Sequence, residues 1–227
     1  MNNFQIIVIS ICLVVAAISI YAKLRFDYPK KLTDILYEDK NPKEYLERLE
    51  KPKTKLFISK KNIEIMKLNV YQMVDDIDNI FKQYEIIDKI KLNPSERLNY
   101  NSMKLYYYIR ASKLNDCKKI ILEIEKDSSK VNTAESMSIY QESNILYRLN
   151  VEHDVSLKEE LLGIIKDTKD KNIKFTSYMR LAKLSYLNND TKDIDRYLEL
   201  AKHNCEDKQK QSVINSCIKK HDLLKNI

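Results

Sequence analysis

Glycine is almost missing from this chain: Gly163 is the only one among 227 residues, where average usage is about 7%. Loops that cradle phosphates need glycine for positive φ and for close backbone approach. The chain therefore carries neither a P-loop nor a G-x-G-x-x-G fingerprint, and the common nucleotide-binding folds are excluded. Proline occurs only four times, so the turn chemistry of a many-stranded β-protein is missing as well. The three histidines fall in no H-E-x-x-H pattern, and neither a nucleophile elbow nor a Cys-x-x-Cys pair occurs. No catalytic residue is identified, no cofactor is expected, and the chain reads as a non-enzyme.

What is present is helix. Lys, Glu, Leu and Ile dominate a composition that is 44% hydrophobic, which suits helical packing. Apolar residues recur three and four apart: Ile77, Ile80, Phe81, Tyr84 and Ile87; Leu157, Leu161, Leu162 and Ile165; Ile194, Tyr197, Leu198 and Ala201. Each set makes one apolar helix face. Asn41-Pro42-Lys43-Glu44 and Asn93-Pro94-Ser95-Glu96 share one grammar for a helix start: an Asn cap, a Pro in the first turn and a Glu that reaches back. Ser156-Leu157-Lys158-Glu159 is a third capping-box candidate.

The formal charge of +7 is unevenly placed: residues 23–61 hold twelve basic and seven acidic side chains and so carry +5 of it. Either this segment is a solvated lysine-rich linker or it contacts anionic lipid headgroups. No basic patch interleaved with aromatics marks the rest of the chain, so no nucleic-acid partner is expected. Before the basic segment, residues 4–22 (FQIIVISICLVVAAISIYA) carry no charge. As a helix they span roughly 28 Å, close to a bilayer's hydrocarbon core. The sequence thus predicts a single-pass transmembrane anchor at the cell membrane, over 1–27. A basic juxtamembrane segment with a short helix follows over 28–60, then a helical-repeat domain over 61–227. A cleaved signal peptide is the alternative, but residues 1–5 lack Lys and Arg. The positive flank after residue 22 places the soluble domain in the cytoplasm.

Short polar turns punctuate the helices at Asp75-Asp76, Asn115-Asp116, His153-Asp154 and Asn189-Asp190, their second members 40, 38 and 36 residues apart. A helical hairpin recurring at that period marks an α-solenoid, because one hairpin cannot bury its apolar face alone. Residues 177–205 (SYMRLAKLSYLNNDTKDIDRYLELAKHNC) give the best copy. Tyr178 fills an aromatic slot, Leu181-Ala182 a large-then-small pair, and Ile194, Leu198 and Ala201 the second-helix core slots. On these residues the chain resembles the tetratricopeptide repeat family. Looser copies lie around 63–90 (Ile80, Tyr84, Ile87), 103–127 (Ile120, Ile124) and 136–167. The resemblance implies an all-α fold: a tetratricopeptide-like α-solenoid of about four helical hairpins plus a carboxyl-terminal capping helix, preceded by one transmembrane helix. A plain helical bundle is the alternative. The resemblance also implies a concave groove showing Asn69, Ile109, Lys113, Lys183 and Tyr186, and a protein or peptide as partner. The expected function is a membrane-tethered helical-repeat adaptor that assembles a complex at the membrane. Alternatives are an exported envelope-biogenesis or immunity-type factor and a zinc-binding protein.

The zinc alternative rests on His203-x-Cys205 and Cys217-x-x-x-His221, since His and Cys four apart on one helix face can chelate. Against it, Cys217 and His221 share a stripe with Val213, Ile214, Ile218 and Leu224, and free Cys is among the most buried residue types. Core packing is also the expected role for most of the fifteen tyrosines, including Tyr106-Tyr107-Tyr108.

Overall fold

The computed structural model describes residues 3–226, with side chains over 12–225. Twelve α-helices and no strand occur among the described residues, so the all-α expectation holds. The chain divides into two compact units, 1–91 and 92–227.

The first unit holds α1 (Asn3–Tyr37), α2 (Pro42–Glu50), α3 (Pro52–Phe57), α4 (Lys60–Met73) and α5 (Ile77–Ile87). Here the membrane anchor expected over 4–22 is corrected. Residues 4–11 lie outside the described side chains, and among the described residues no helix is long and apolar enough to cross a membrane. The uncharged stretch ends at Ala22. The helix does not stop there. It runs on through Lys23, Arg25, Asp27, Lys30 and Lys31, carries Pro29 in its interior, and delivers Leu32 and Leu36 to a core with Tyr45, Leu49, Ile58, Ile63 and Val70. The single-pass placement at the cell membrane, the orientation drawn from flanking charge and the transmembrane element of the fold therefore all fall away. The basic segment, expected as a linker or a lipid contact with a short helix, is folded chain: Leu49 and Ile58 are buried, and Tyr28 hydrogen-bonds Thr54 at 2.7 Å. Thr54 spends its own proton on the Arg48 carbonyl, so the phenol is the donor.

A polar knot joins α4 to α5. The buried Gln83 amide donates to the Glu64 carbonyl (3.0 Å) and carboxylate (2.8 Å). Lys67 bridges Glu64 and Glu50. Burial alone would lower the Lys67 pKa, but hydrogen bonds with the two carboxylates outweigh it and raise it. The Lys67 hydrogen bond holds Glu50 low.

The second unit holds α6 (Pro94–Arg110), α7 (Leu114–Val131), α8 (Ala134–Tyr147), α9 (Leu157–Asp167), α10 (Lys171–Leu187), α11 (Thr191–His203) and α12 (Lys208–Lys219). A π-helical turn, Arg148–Glu152, extends α8, and a 3₁₀ helix, His221–Asn226, follows α12. The Asn93 cap works as its sequence implies: its side chain accepts from the Glu96 N–H, and Glu96 accepts from the Asn93 N–H, both at 2.9 Å. Ser156 does not cap α9; its hydroxyl turns to Asp154 at 2.7 Å and accepts from Arg148 at 3.1 Å. With glycine missing, Asp75, Ser112, His153 and Asn189 hold the left-handed turn positions, a backbone state that favours glycine over L side chains. At the second turn that position is Ser112, three residues before the expected Asn115, because α7 already begins at Leu114.

Two cores fill this unit. Leu98, Leu105, Cys117, Ile120, Ile121, Ile124 and Tyr147 join α6 and α7 to the end of α8. Ile145, Leu149, Leu157, Leu161, Leu181, Leu198, Ile214, Cys217 and Leu224 lie in the second, which runs from the end of α8 to the 3₁₀ helix. Each core buries one apolar stripe per helix, the arrangement that 3.6-residue periodicity demands. Arg97 and the fully buried Asp127 make a two-pronged ion pair between α6 and α7.

Candidate functional site

The two cores meet at the end of α8, which gives Tyr147 to one and Ile145 to the other. Helix α8 packs chiefly on α6 and α7 and α9 on α10, and the π turn also meets α10. A π turn widens the helix by one residue per hydrogen-bonded ring and is often found at functional sites. Here several side chains hold it. Arg148 donates to Asp154 at 2.8 Å and also reaches Glu160 and Ser156. Burial would lower the Arg148 pKa, yet these carboxylates raise it. The Asp154 carboxyl is held low by hydrogen bonds from Ser156 and then Arg148. The Asn150 side chain donates to the Leu146 carbonyl at 2.8 Å, the acceptor that its own main-chain N–H would take in an α-helix.

Two cavities open beside this turn. One, of about 320 Å³, lies between α8, α10 and α12; Leu146, Leu149, Phe175, Met179, Val213 and Ile214 make its apolar wall, and Arg180, Lys183 and Lys210 also line it. The second, of about 640 Å³, is lined by Tyr106, Ile109, Arg110, Leu114, Leu187 and Lys225 together with Leu146, Asn150 and Lys183. Leu146, Asn150 and Lys183 are thus common to both. A third hollow of about 430 Å³ continues along α6 and α8 past Met103, Tyr106, Ile139 and Glu142. Arg180 of α10 grips Glu142 of α8 with both guanidinium branches, one at 3.2 Å. Met103, Tyr106 and Val213 are all more than 40% exposed, so this face presents apolar side chains to solvent.

Lys183 sits at the meeting point. It is 6% exposed, its ammonium donates to the Lys225 carbonyl at 3.2 Å, and burial lowers its pKa to about 8. The 3₁₀ helix that supplies this carbonyl is fastened to α10 and α11. Tyr186 donates to Asp222 at 2.7 Å, Lys225 lies over the Tyr186 ring, and His221 meets Asp195 at 2.7 Å.

Of the five groove residues expected from sequence, the structure brings Ile109 and Lys183 together in one cavity. Tyr186 stands beside it but is engaged by Asp222. Lys113 lies over the Tyr108 ring at the start of α7. Asn69 is an exposed residue of α4, in the other unit. Sequence reasoning missed Leu146, Asn150, Phe175, Met179, Arg180 and Val213. Val213 left a trace in the apolar stripe of the last helix, but nothing in the sequence marks the π turn.

The four residues of the zinc alternative do not converge. Among the described residues no group of three His, Cys, Asp or Glu is arranged to hold a metal. Cys205 and Cys217 are buried free thiols, with the Cys217 pKa raised by burial. His203 is exposed, and His221 is committed to Asp195. Comparison of the chain with protein-family models, with curated proteins and with solved structures gives no match, so the site is read from its own geometry.

Proposed function

We propose that the 92–227 unit is a helical-hairpin repeat module, similar to tetratricopeptide repeats in its plan, and that it binds a segment of a protein partner on the face made by α6, α8, α10 and α12. The observation that carries this reading is the distribution of the hollows. Those beside and beyond the π turn draw their walls from the first helices of successive hairpins and from the chain between and after them; Leu114, the first residue of α7, is the exception. Stacked hairpins characteristically bind along such a surface. The charge of the face supports one class of segment. Arg110, Arg180, Lys183, Lys210 and Lys225 line it, against Glu142, which Arg180 already holds. An apolar segment bearing Asp or Glu is complementary to that face, because charge complementarity selects partners and orients them.

The test is a displayed-peptide selection on the full chain. Convergence is expected on sequences that mix apolar and acidic residues, with affinity lost at least tenfold in Leu146→Asp and kept in Lys126→Ala on the far side of α7. Failure of the selection to converge, or binders indifferent to Leu146→Asp, would refute the reading.

A further inference from the structure

The smaller of the two cavities, of about 320 Å³, is a slot walled by α8, the π turn, α10 and α12. Leu146, Leu149, Phe175, Met179, Val213 and Ile214 give it an almost wholly apolar surface, and its size falls in the range of small-molecule sites. The charged groups and the amide on its wall already have partners. Arg180 holds Glu142, and the Lys210 ammonium lies 5.4 Å from the centre of the Phe175 ring. Lys183 donates to the Lys225 carbonyl, and the Asn150 amide donates to the Leu146 carbonyl. Among the described residues no buried side-chain nitrogen or oxygen lacks a partner. An occupant therefore meets no orphaned polar atom and need supply no hydrogen bond. A charged occupant would leave water for an apolar wall whose hydrogen-bonding groups are already engaged, which is unfavourable. We propose that the slot is a binding site for a neutral aromatic small molecule of about the size of naphthalene.

The wall itself selects an aromatic occupant. Phe175 and Met179 are one turn apart on α10, and both line the slot. Aromatic rings pack favourably edge-to-face or offset on one another. A thioether makes favourable contacts with ring edges, and the unbranched methionine chain adapts to the outline of its neighbour. The wall passes from Val213, which is 49% exposed, to the buried Leu149 and Ile214, so the slot has an open edge and a floor of core side chains. Apolar hollows of this kind hold water poorly and take up apolar molecules.

The slot opens on the face assigned to segment binding, but the inference goes beyond that reading and does not rest on it. A large apolar side chain of a bound segment is the rival occupant. The free molecule is favoured because α8, the π turn, α10 and α12 together enclose the hollow, and enclosure on several sides is what removes most of a small ligand's surface from water. The two occupants are told apart by what enters the slot when no segment is present.

The methionines report on this directly. The chain has six, and among the described ones it is Met179 that lines the slot, while Met66 and Met73 belong to α4 in the other unit. The test is an NMR titration of the full chain, labelled with carbon-13 at its methionine methyl groups, with naphthalene; Met179→Leu assigns the signal. A saturable ring-current shift of the Met179 methyl is expected, with Met66 and Met73 unmoved. The anionic counterpart, 2-naphthoate, is expected to bind about tenfold more weakly. Val213→Asp, which sets a charge at the open edge, is expected to weaken naphthalene severalfold and to leave the Met66 and Met73 signals in place. An unmoved Met179 signal, equal shifts at Met66 and Met73, or 2-naphthoate binding as tightly as naphthalene would overturn the proposal. A selected peptide that moves Met179 where naphthalene does not would also overturn it, and would give the slot to the segment. Failure of the peptide selection leaves this titration unaffected, because no segment is present in it.

Discussion

A lysine that shares cavity walls with Leu146, Leu149 and Met179 keeps its proton less readily than one in water, because burial penalises the charged form. With its folded pKa near 8 and an unfolded value of about 10.4, Lys183 makes the folded state bind fewer protons than the unfolded state between those values. Stability therefore rises with pH across that window, and below pH 8 the buried charge opposes folding by about 3 kcal/mol. Lys183→Met removes this cost and gives up polar contacts such as the hydrogen bond to the Lys225 carbonyl, each worth about 1 kcal/mol. Urea denaturation at pH 7 should find the variant more stable by about 2 kcal/mol, with the gap shrinking from pH 7.5 to pH 9. A destabilised variant with a pH-independent gap would show that Lys183 is not buried as described. The repeat register read from the sequence names Lys183 and Ile109, which line one cavity. It also names Tyr186 and Lys113, but each has a nearer partner, Asp222 and the Tyr108 ring, and sequence spacing does not show such competition. The stripe through Val213, Ile214, Cys217 and Leu224 was informative in the other direction: it sent Cys217 to the core and not to a metal.

At the scale of the element, the helices obey local rules where those rules have no rival. Asn93 and Glu96 form the capping box that their spacing implies. Ser156 has the same spacing to Glu159, yet Asp154 and Arg148 claim its hydroxyl, because the π turn brings them within reach first. That turn itself, Arg148–Glu152, has no composition that distinguishes it from α-helix, so the cleft it opens was invisible to periodicity. Gly163 offers a clean test of element-level reasoning. It sits on the exposed side of α9, and an added Cβ would meet nothing within 4 Å. Gly163→Ala should therefore stabilise the protein by about 0.5–1 kcal/mol through helix propensity and a less flexible unfolded chain. Thermal denaturation checks this, and an unchanged or lower midpoint would mean that α9 is not helical at that point.

At the scale of the molecule, the all-helical class followed from near-absent glycine and from apolar residues three and four apart, and the structure bears it out. The anchor did not follow so simply. Hydropathy read over a window treats residues 4–22 as a self-contained span, whereas α1 continues as one helix to Tyr37 and gives Leu32 and Leu36 to a folded core. The lysines of residues 23–61, which suggested a linker or a lipid contact, lie largely on the solvent side of that unit. In the second unit, the turns at His153 and Asn189 were readable from their polar residues, but the turn at Ser112, ahead of the expected Asn115-Asp116, and the separation of its two cores were not. That separation depends on which neighbour each helix chooses, α8 with α6 and α7 but α9 with α10, and pairing between helices leaves no period in the chain.

The central claim is that binding occurs on the face of α6, α8, α10 and α12. Amide hydrogen exchange of the full chain, with and without a peptide obtained by the selection, tests it most directly. Slowed exchange is predicted in α8, the Arg148–Glu152 turn, α10 and α12, with α7 and α11 unchanged. Protection confined to α7, α9 and α11 would contradict it.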